Sequence, residues 1–134
     1  MEKVVTGLLV LAGIIHLLPV SGVLGVERLA AVYGVSLGDP NLEILMRHRA
    51  VLFGLLGLFL VYAAFQPSLQ RLAIIAGLVS VVSFFAIAWS VGGYNDSVRK
   101  VIIADIIALV ALVAAGIIHV VSHMGGGRNG NFTL

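Results

Sequence analysis

Long uncharged runs broken by short polar clusters set the pattern of this chain. Four apolar segments stand out, at residues 4–24, 50–65, 69–91 and 98–122. A bilayer span needs about 20 mostly apolar residues. The second segment falls short of that unless residues 45–49 are included, which draws Arg47, His48 and Arg49 towards the membrane. A cleaved signal peptide competes for the first segment because Glu2 and Lys3 precede it, but the run is long and lacks a small-x-small cleavage site. A span is therefore expected there.

The connecting stretches carry their own punctuation. After Gly22, the run from Val23 to Gly34 holds Glu27 and Arg28 side by side in an apolar helical pattern, with Tyr33 near its end and Gly34 placed as a C-terminal cap. It reads as a short interfacial helix, a continuation of the first helix being the alternative. Asp39 suits a helix N-cap and Pro40 the first helical position. Residues 66–68 and 92–97 are turns, the second offering several caps for the last helix. The chain ends in a glycine-rich tail. The expected class is all-α, an integral membrane four-helix bundle with a short interfacial helix between helices 1 and 2. Residues 1–122 would form the four-span domain and 123–134 a flexible tail.

Composition agrees. The chain of 134 residues is 60% hydrophobic and 10% charged, with a mean hydropathy of +1.15, against about 25% charged residues in soluble proteins. The formal charge of +2 is too small to suggest nucleic acid, and the lack of cysteine excludes disulfides and thiolate chemistry. A multi-pass protein of a bacterial inner membrane is expected. The lipid bilayer is its first partner, with a homo-oligomer or a membrane protein partner beyond it.

Polar residues inside the spans are the candidate chemistry, because ionisable groups at bilayer depth are costly and tend to mark function. His16 shares a face with Thr6, Leu9, Gly13 and Val20 on the first helix, and Pro19 predicts a bend just after it. On the second helix, Glu43, Arg47, Ala50, Gly54, Gly57 and Val61 share a face. The small residues there predict close helix approach, so Arg47 is expected to point into the bundle beside Glu43. Arg49, about 200° away, is expected to face lipid and snorkel to head groups. His48 lies between them. On the third helix Ala76, Ser80, Ser83, Ile87 and Ser90 predict a packing stripe with serines bonded to their own helix, and Trp89 and Tyr94 sit where aromatic anchors occur. Asp105 lies five residues beyond Lys100, about 7.5 Å deeper, on a face with Ala108, Leu112 and His119. His119 and His123 have metal-compatible spacing but no further ligands, so no metal site is assigned.

With four spans, His16, Glu43, Arg47, His48, Trp89 and Asp105 fall in one half of the bilayer; the other half has mainly Thr6, Gln66 and His119. A one-sided polar funnel suits an amphiphile, its head near Arg47 and Asp105 and its tail between helices. The funnel side carries Arg28, Arg47, Arg49, Arg99 and Lys100 against Lys3, Arg71 and Arg128. The positive-inside rule then places both termini outside, unless Arg47 and Arg49 are site residues, when the two sides balance.

The run Leu45-Met46-Arg47-His48-Arg49-Ala50-Val51-Leu52-Phe53-Gly54, together with residues 16–22 and 33–35, resembles a group of small bacterial four-helix membrane proteins of DoxX-like fold. The resemblance extends to about Val121. It implies quinone-linked or accessory roles and supplies no catalytic residues. Some such proteins carry the label phosphopantetheine adenylyltransferase, an activity this sequence does not support: it has no H-x-G-H motif and no soluble α/β domain.

Two functions follow as expectations. The preferred one is a non-catalytic membrane module that binds a lipid or quinone, or serves as an accessory subunit, through Arg47, Asp105, His16, His48, Glu43 and Trp89. The alternative is a membrane enzyme or redox protein using His16 or His48 with Asp105. Haem held by the two histidines is disfavoured because His16 should lie deeper than His48.

Overall fold

The computed structural model describes residues 2–20, 25–34, 36 and 38–126. It contains α1 (Glu2–Leu17), α2 (Val26–Tyr33), α3 (Pro40–Ala64), α4 (Pro67–Val91) and α5 (Asp96–Gly126), and no strand among the described residues. Four helices, all but α2, are long and apolar enough to cross a membrane. The chain is thus an all-α, multi-pass integral membrane protein built as a four-helix bundle. Helix α5 runs past residue 122 to Gly126, so the start of the expected tail is helical; residues 127–134 lie outside the described residues.

The helix ends follow local chemistry. Asp39 caps α3 by accepting from the Asn41 N–H at 2.9 Å, and Pro40 opens the helix. Gly34 ends α2 with φ 62° and donates to the Ala30 carbonyl at 2.8 Å. A side chain at Gly34 would also collide with Ser97 and Asn95. The α-helical part of α1 stops at Leu17, and residues 18–20 tighten into a 3₁₀ turn. Pro19 has no N–H to return to the Ile15 carbonyl, which accounts for that ending.

Helices α1 and α3 cross most closely where two glycines meet. A Cβ on Gly13 or on Gly57 would lie 2.9 Å from the other residue's carbonyl oxygen. Without a hydrophobic force between helices in lipid, backbone approach of this kind supplies the packing. Leu9 and Ala12 of α1, Leu60 and Ala63 of α3, Ala73 and Val81 of α4, and Ala108 and Leu112 of α5 close the core around it.

On α4 the buried stripe is Gln70, Ala73, Ile74, Gly77 and Val81. The expected stripe of Ala76, Ser80, Ser83, Ile87 and Ser90 is displaced from it, with Ser83, Ile87 and Ser90 exposed. Gly77 decides the register, because Leu112 of α5 occupies the space its Cβ would need, 2.9 Å away. Ser83 does bond back to its own helix, at the Ser80 carbonyl.

One length difference shapes the rest. Val20, at the end of α1, packs on Gly54, which stands fourteen residues past Pro40, about 21 Å along α3. Beyond that level α3 and α5 continue without α1 between them. Helix α2 occupies the gap, its Tyr33 packed against Met46 of α3 and against Val98 and Val101 of α5. Asn95 secures the junction. Its Nδ2 donates to the carbonyls of Tyr33 and Gly34 at 2.9 and 3.1 Å, while its Oδ1 accepts from the Val98 N–H at 2.9 Å and caps α5.

Candidate functional site

Where α2 bridges the end of α1, a cleft of about 380 Å³ remains. Its floor is the end of α1, at Ile15, Leu18 and Pro19. Arg49 and Phe53 of α3 form one wall, and Ser97, Lys100, Val101, Ala104 and Asp105 of α5 form another. Ala31 and Tyr33 of α2 complete it. The polar groups come from α3, α5 and the Tyr33 hydroxyl, and the apolar surface from all four elements.

Arg49 stands nine residues past the start of α3, and Asp105 nine past the start of α5. Both helices start from the same face of the bundle, so the two side chains enter at one level, about 13.5 Å along their axes. The Arg49 guanidinium is enclosed by three rings, its Cζ 5.3 Å from the centroid of Tyr33, 4.5 Å from Phe53 and 5.5 Å from Phe84. It also donates to the Tyr33 hydroxyl. Cation–π contact of this kind holds a cation away from water without neutralising it.

Asp105 is 8% exposed and lies within electrostatic reach of His16 and Arg49. Among the described residues it makes no hydrogen bond and no ion pair within 4.0 Å. Arg49 likewise has no carboxylate within that distance among them. The cleft therefore holds a cation and an acid that do not satisfy one another.

His16 lies behind the floor, 2% exposed, with its ring stacked on Phe53 at 5.7 Å between centroids. Its Nδ1 is 2.8 Å from the Ala12 carbonyl. A carbonyl can only accept, so Nδ1 carries a proton, and in the neutral ring Nε2 presents its lone pair. That nitrogen is buried with no hydrogen-bond partner among the described residues.

The two arginines exchange the roles expected of them. Arg47 does not line the cleft; its side chain is 44% exposed and pairs with Glu43 at 3.1 Å across one helical turn. Arg49, expected at the lipid, is the one that turns inward. The small face of Ala50, Gly54 and Gly57 is buried as expected. It packs on α1, however, and α1 ends level with Gly54, so no α1 surface faces Arg47. Met46, Arg49 and Phe53 lie instead on the side that α2 covers. His48 is exposed on α3 and Trp89 is 91% exposed at the end of α4; neither lines the cleft. Of the expected site residues, Asp105 lines the cleft and His16 abuts it, while Arg47, Glu43, His48 and Trp89 lie elsewhere.

Arg49, Lys100 and Tyr33 are the additions. Helix periodicity could have placed Lys100 and Asp105 on neighbouring turns of α5, but only the position of α2 identifies Arg49.

The opposite end of the bundle has its own polar cluster. The Ala64 carbonyl, freed at the C-terminus of α3, accepts from Thr6 Oγ1 at 2.9 Å and from Gln70 Nε2 at 3.1 Å. His123 Nδ1 turns to the His119 carbonyl at 2.9 Å, within its own helix. No group of three or more potential metal ligands occurs among the described residues.

No family model matches the chain, and no curated protein or solved structure shows significant similarity to it. What fold and site define is a class, a four-span helical membrane protein with an amphipathic cleft near one end.

Proposed function

We propose that the chain is a membrane module that binds the polar end of a lipophilic amphiphile, a lipid or a quinone, in the cleft beneath α2. One observation carries the reading: Arg49 and Asp105 line the same cleft at one level and leave each other unpaired. Burying a charge without a partner is costly, and a ligand or its accompanying water supplies what the protein does not. The apolar floor and the ring of Phe53 suit the first carbons of the attached chain. The resemblance to DoxX-like proteins keeps a quinone among the candidates.

Native mass spectrometry of protein released from mild detergent tests this. A defined non-protein mass is expected on the protein, lost in Arg49→Ala and kept in Arg47→Ala. No retained mass under any mild extraction overturns the reading.

A second reading, a membrane enzyme using His16 and Asp105 as acid and base, draws on the unpartnered Nε2 of His16 near Asp105. It requires a substrate atom to reach Nε2 past Phe53. Turnover lost in His16→Ala with ligand retention intact would favour it.

A further inference from the structure

We infer that the opposite end of the bundle holds a second lipid site, one that takes the primary ammonium of a zwitterionic phospholipid. It is separate from the cleft beneath α2 and does not rest on that cleft's ligand.

A cleft of about 320 Å³ opens there between the start of α1, the α3–α4 turn and the last turns of α5. Its uncharged polar side chains among the described residues are Thr6, Gln70 and Ser122, and each has already given a proton to a backbone carbonyl. Thr6 Oγ1 gives its only proton to the Ala64 carbonyl at 2.9 Å, sharing it with the Glu2 carbonyl at 3.0 Å. Ser122 Oγ gives its only proton to the Ile118 carbonyl at 2.8 Å. Gln70 donates from Nε2 to the Ala64 carbonyl at 3.1 Å.

That last bond fixes the Gln70 amide. A carbonyl only accepts, so the nitrogen must face Ala64, and the planar amide turns Oε1 the other way. Gln70 is 7% exposed, and its Oε1 has no hydrogen-bond partner among the described residues. A buried carbonyl oxygen left bare is costly, and the cleft is where this one can be met. Thr6 and Ser122 likewise have only lone pairs left; the one remaining donor among the three is the second amide hydrogen of Gln70. None of the three ionises, so their demand for a donor is the same whatever the state of the charged groups nearby.

A primary ammonium meets several acceptors at once, because it carries three donors in one compact group. A phosphate or a quinone carbonyl brings acceptors only, and a choline head brings no N–H. The mouth of the cleft suits the rest of an ethanolamine lipid. Exposed Lys3 is placed for the phosphate and the Glu2 carboxylate for the ammonium charge, while Val5 and Phe65 offer apolar surface to the chain. His119 and His123 line the cleft as well, His123 turning its Nδ1 to the His119 carbonyl. The volume is near the lower end of small-molecule pockets, about 300–1,000 Å³, and fits a head group. Glu2 and Lys3 open one span and residues 65–66 join two others, which puts this end of the bundle at the level of lipid head groups.

Methylation of the nitrogen removes its donors one at a time and leaves both charges of the head group in place. Phosphatidylethanolamine, its N-methyl and N,N-dimethyl derivatives and phosphatidylcholine are each added singly to delipidated full-length protein, and retention is read by native mass spectrometry. The retained fraction is expected to fall at each methylation, with phosphatidylethanolamine outlasting phosphatidylcholine by at least about tenfold, the factor that one charge-assisted hydrogen bond carries. In Ser122→Ala and in Gln70→Leu, each short of one acceptor, the series should flatten. Added bulk alone would leave the slope the same in both variants.

The series on unmodified protein needs no variant, and Ser122 is only half-buried near the end of α5, so a folding defect in Gln70→Leu leaves the test readable. Equal retention across the series, a slope unchanged in both variants, or phosphatidylglycerol retained ahead of phosphatidylethanolamine overturns the inference. In each case the reading of the cleft beneath α2 is untouched, because its test is the mass lost in Arg49→Ala.

Discussion

Arg49 holds Tyr33 twice, by a hydrogen bond to its hydroxyl and by lying against its ring. The cation that lines the cleft is thus also the fastening of the helix that covers it. Loss of Arg49 should therefore free α2 as well as weaken the ligand.

In Arg49→Ala, hydrogen exchange across residues 26–34 is expected to rise while exchange in the middle of α1 and α3 stays as in the parent. Arg49→Lys should be intermediate, since a lysine keeps the charge but not the planar stacking. Exchange in α2 unchanged from the parent in Arg49→Ala would contradict this arrangement.

Gly57→Ala should destabilise by about 1–3 kcal/mol, the usual range for overpacking. The new methyl would meet Leu17 at 2.8 Å and the backbone oxygen of Gly13 at 2.9 Å. Gly7→Ala on the same bundle meets nothing within 4 Å and should stabilise by up to about 1 kcal/mol through helix propensity alone. Thermal unfolding in one detergent, run on both, checks the opposite signs.

Thr6 and Gln70 share one acceptor, the Ala64 carbonyl. Either alone still satisfies it. Thr6→Val and Gln70→Leu are each expected to cost about 0.6 kcal/mol, typical of hydrogen bonds measured in membrane helices. The double variant should cost more than their sum, because only then is the carbonyl left bare. Additivity within error in a double-mutant cycle would show that the two bonds are independent.

Asn95 has two separable jobs. Asn95→Asp keeps the oxygen that caps α5 and loses the donors to Tyr33 and Gly34, whereas Asn95→Ala loses both. The alanine variant should cost about 0.5–2 kcal/mol through the cap. Both should raise exchange at the end of α2. An aspartate variant indistinguishable from the parent in that region would remove Asn95 from the α2 junction.

The four spans were legible because length and hydropathy suffice for them, and the caps at Asp39 and Gly34 because their chemistry is local. The close face of Ala50, Gly54 and Gly57 was legible for the same reason: small residues at helical spacing mean approach. The α4 stripe was not. Lipid and core are equally apolar, so the buried side of a span leaves almost no periodic signal. Leu112 seated on Gly77 is a pairwise fact, beyond any single helix. Arg47 and Arg49 were exchanged for a related reason. Helix geometry gives the angle between two side chains, but which direction is inward depends on where the neighbour ends, and α1 ends at the level of Gly54. Asp105 was legible as a polar position within the bundle because an acid in a span stands out whatever surrounds it.

Half of the partners of α2 lie far along the chain, Tyr33 receiving a hydrogen bond from Asn95 and packing on Val101. During synthesis α2 can meet Met46 and Arg49 once α3 exists, but its contacts with Asn95 and Val101 form only after the last span has inserted. Such long-range contacts close late. The cleft is therefore the last part of the bundle to assemble, and its occupancy reports that all four spans are in place.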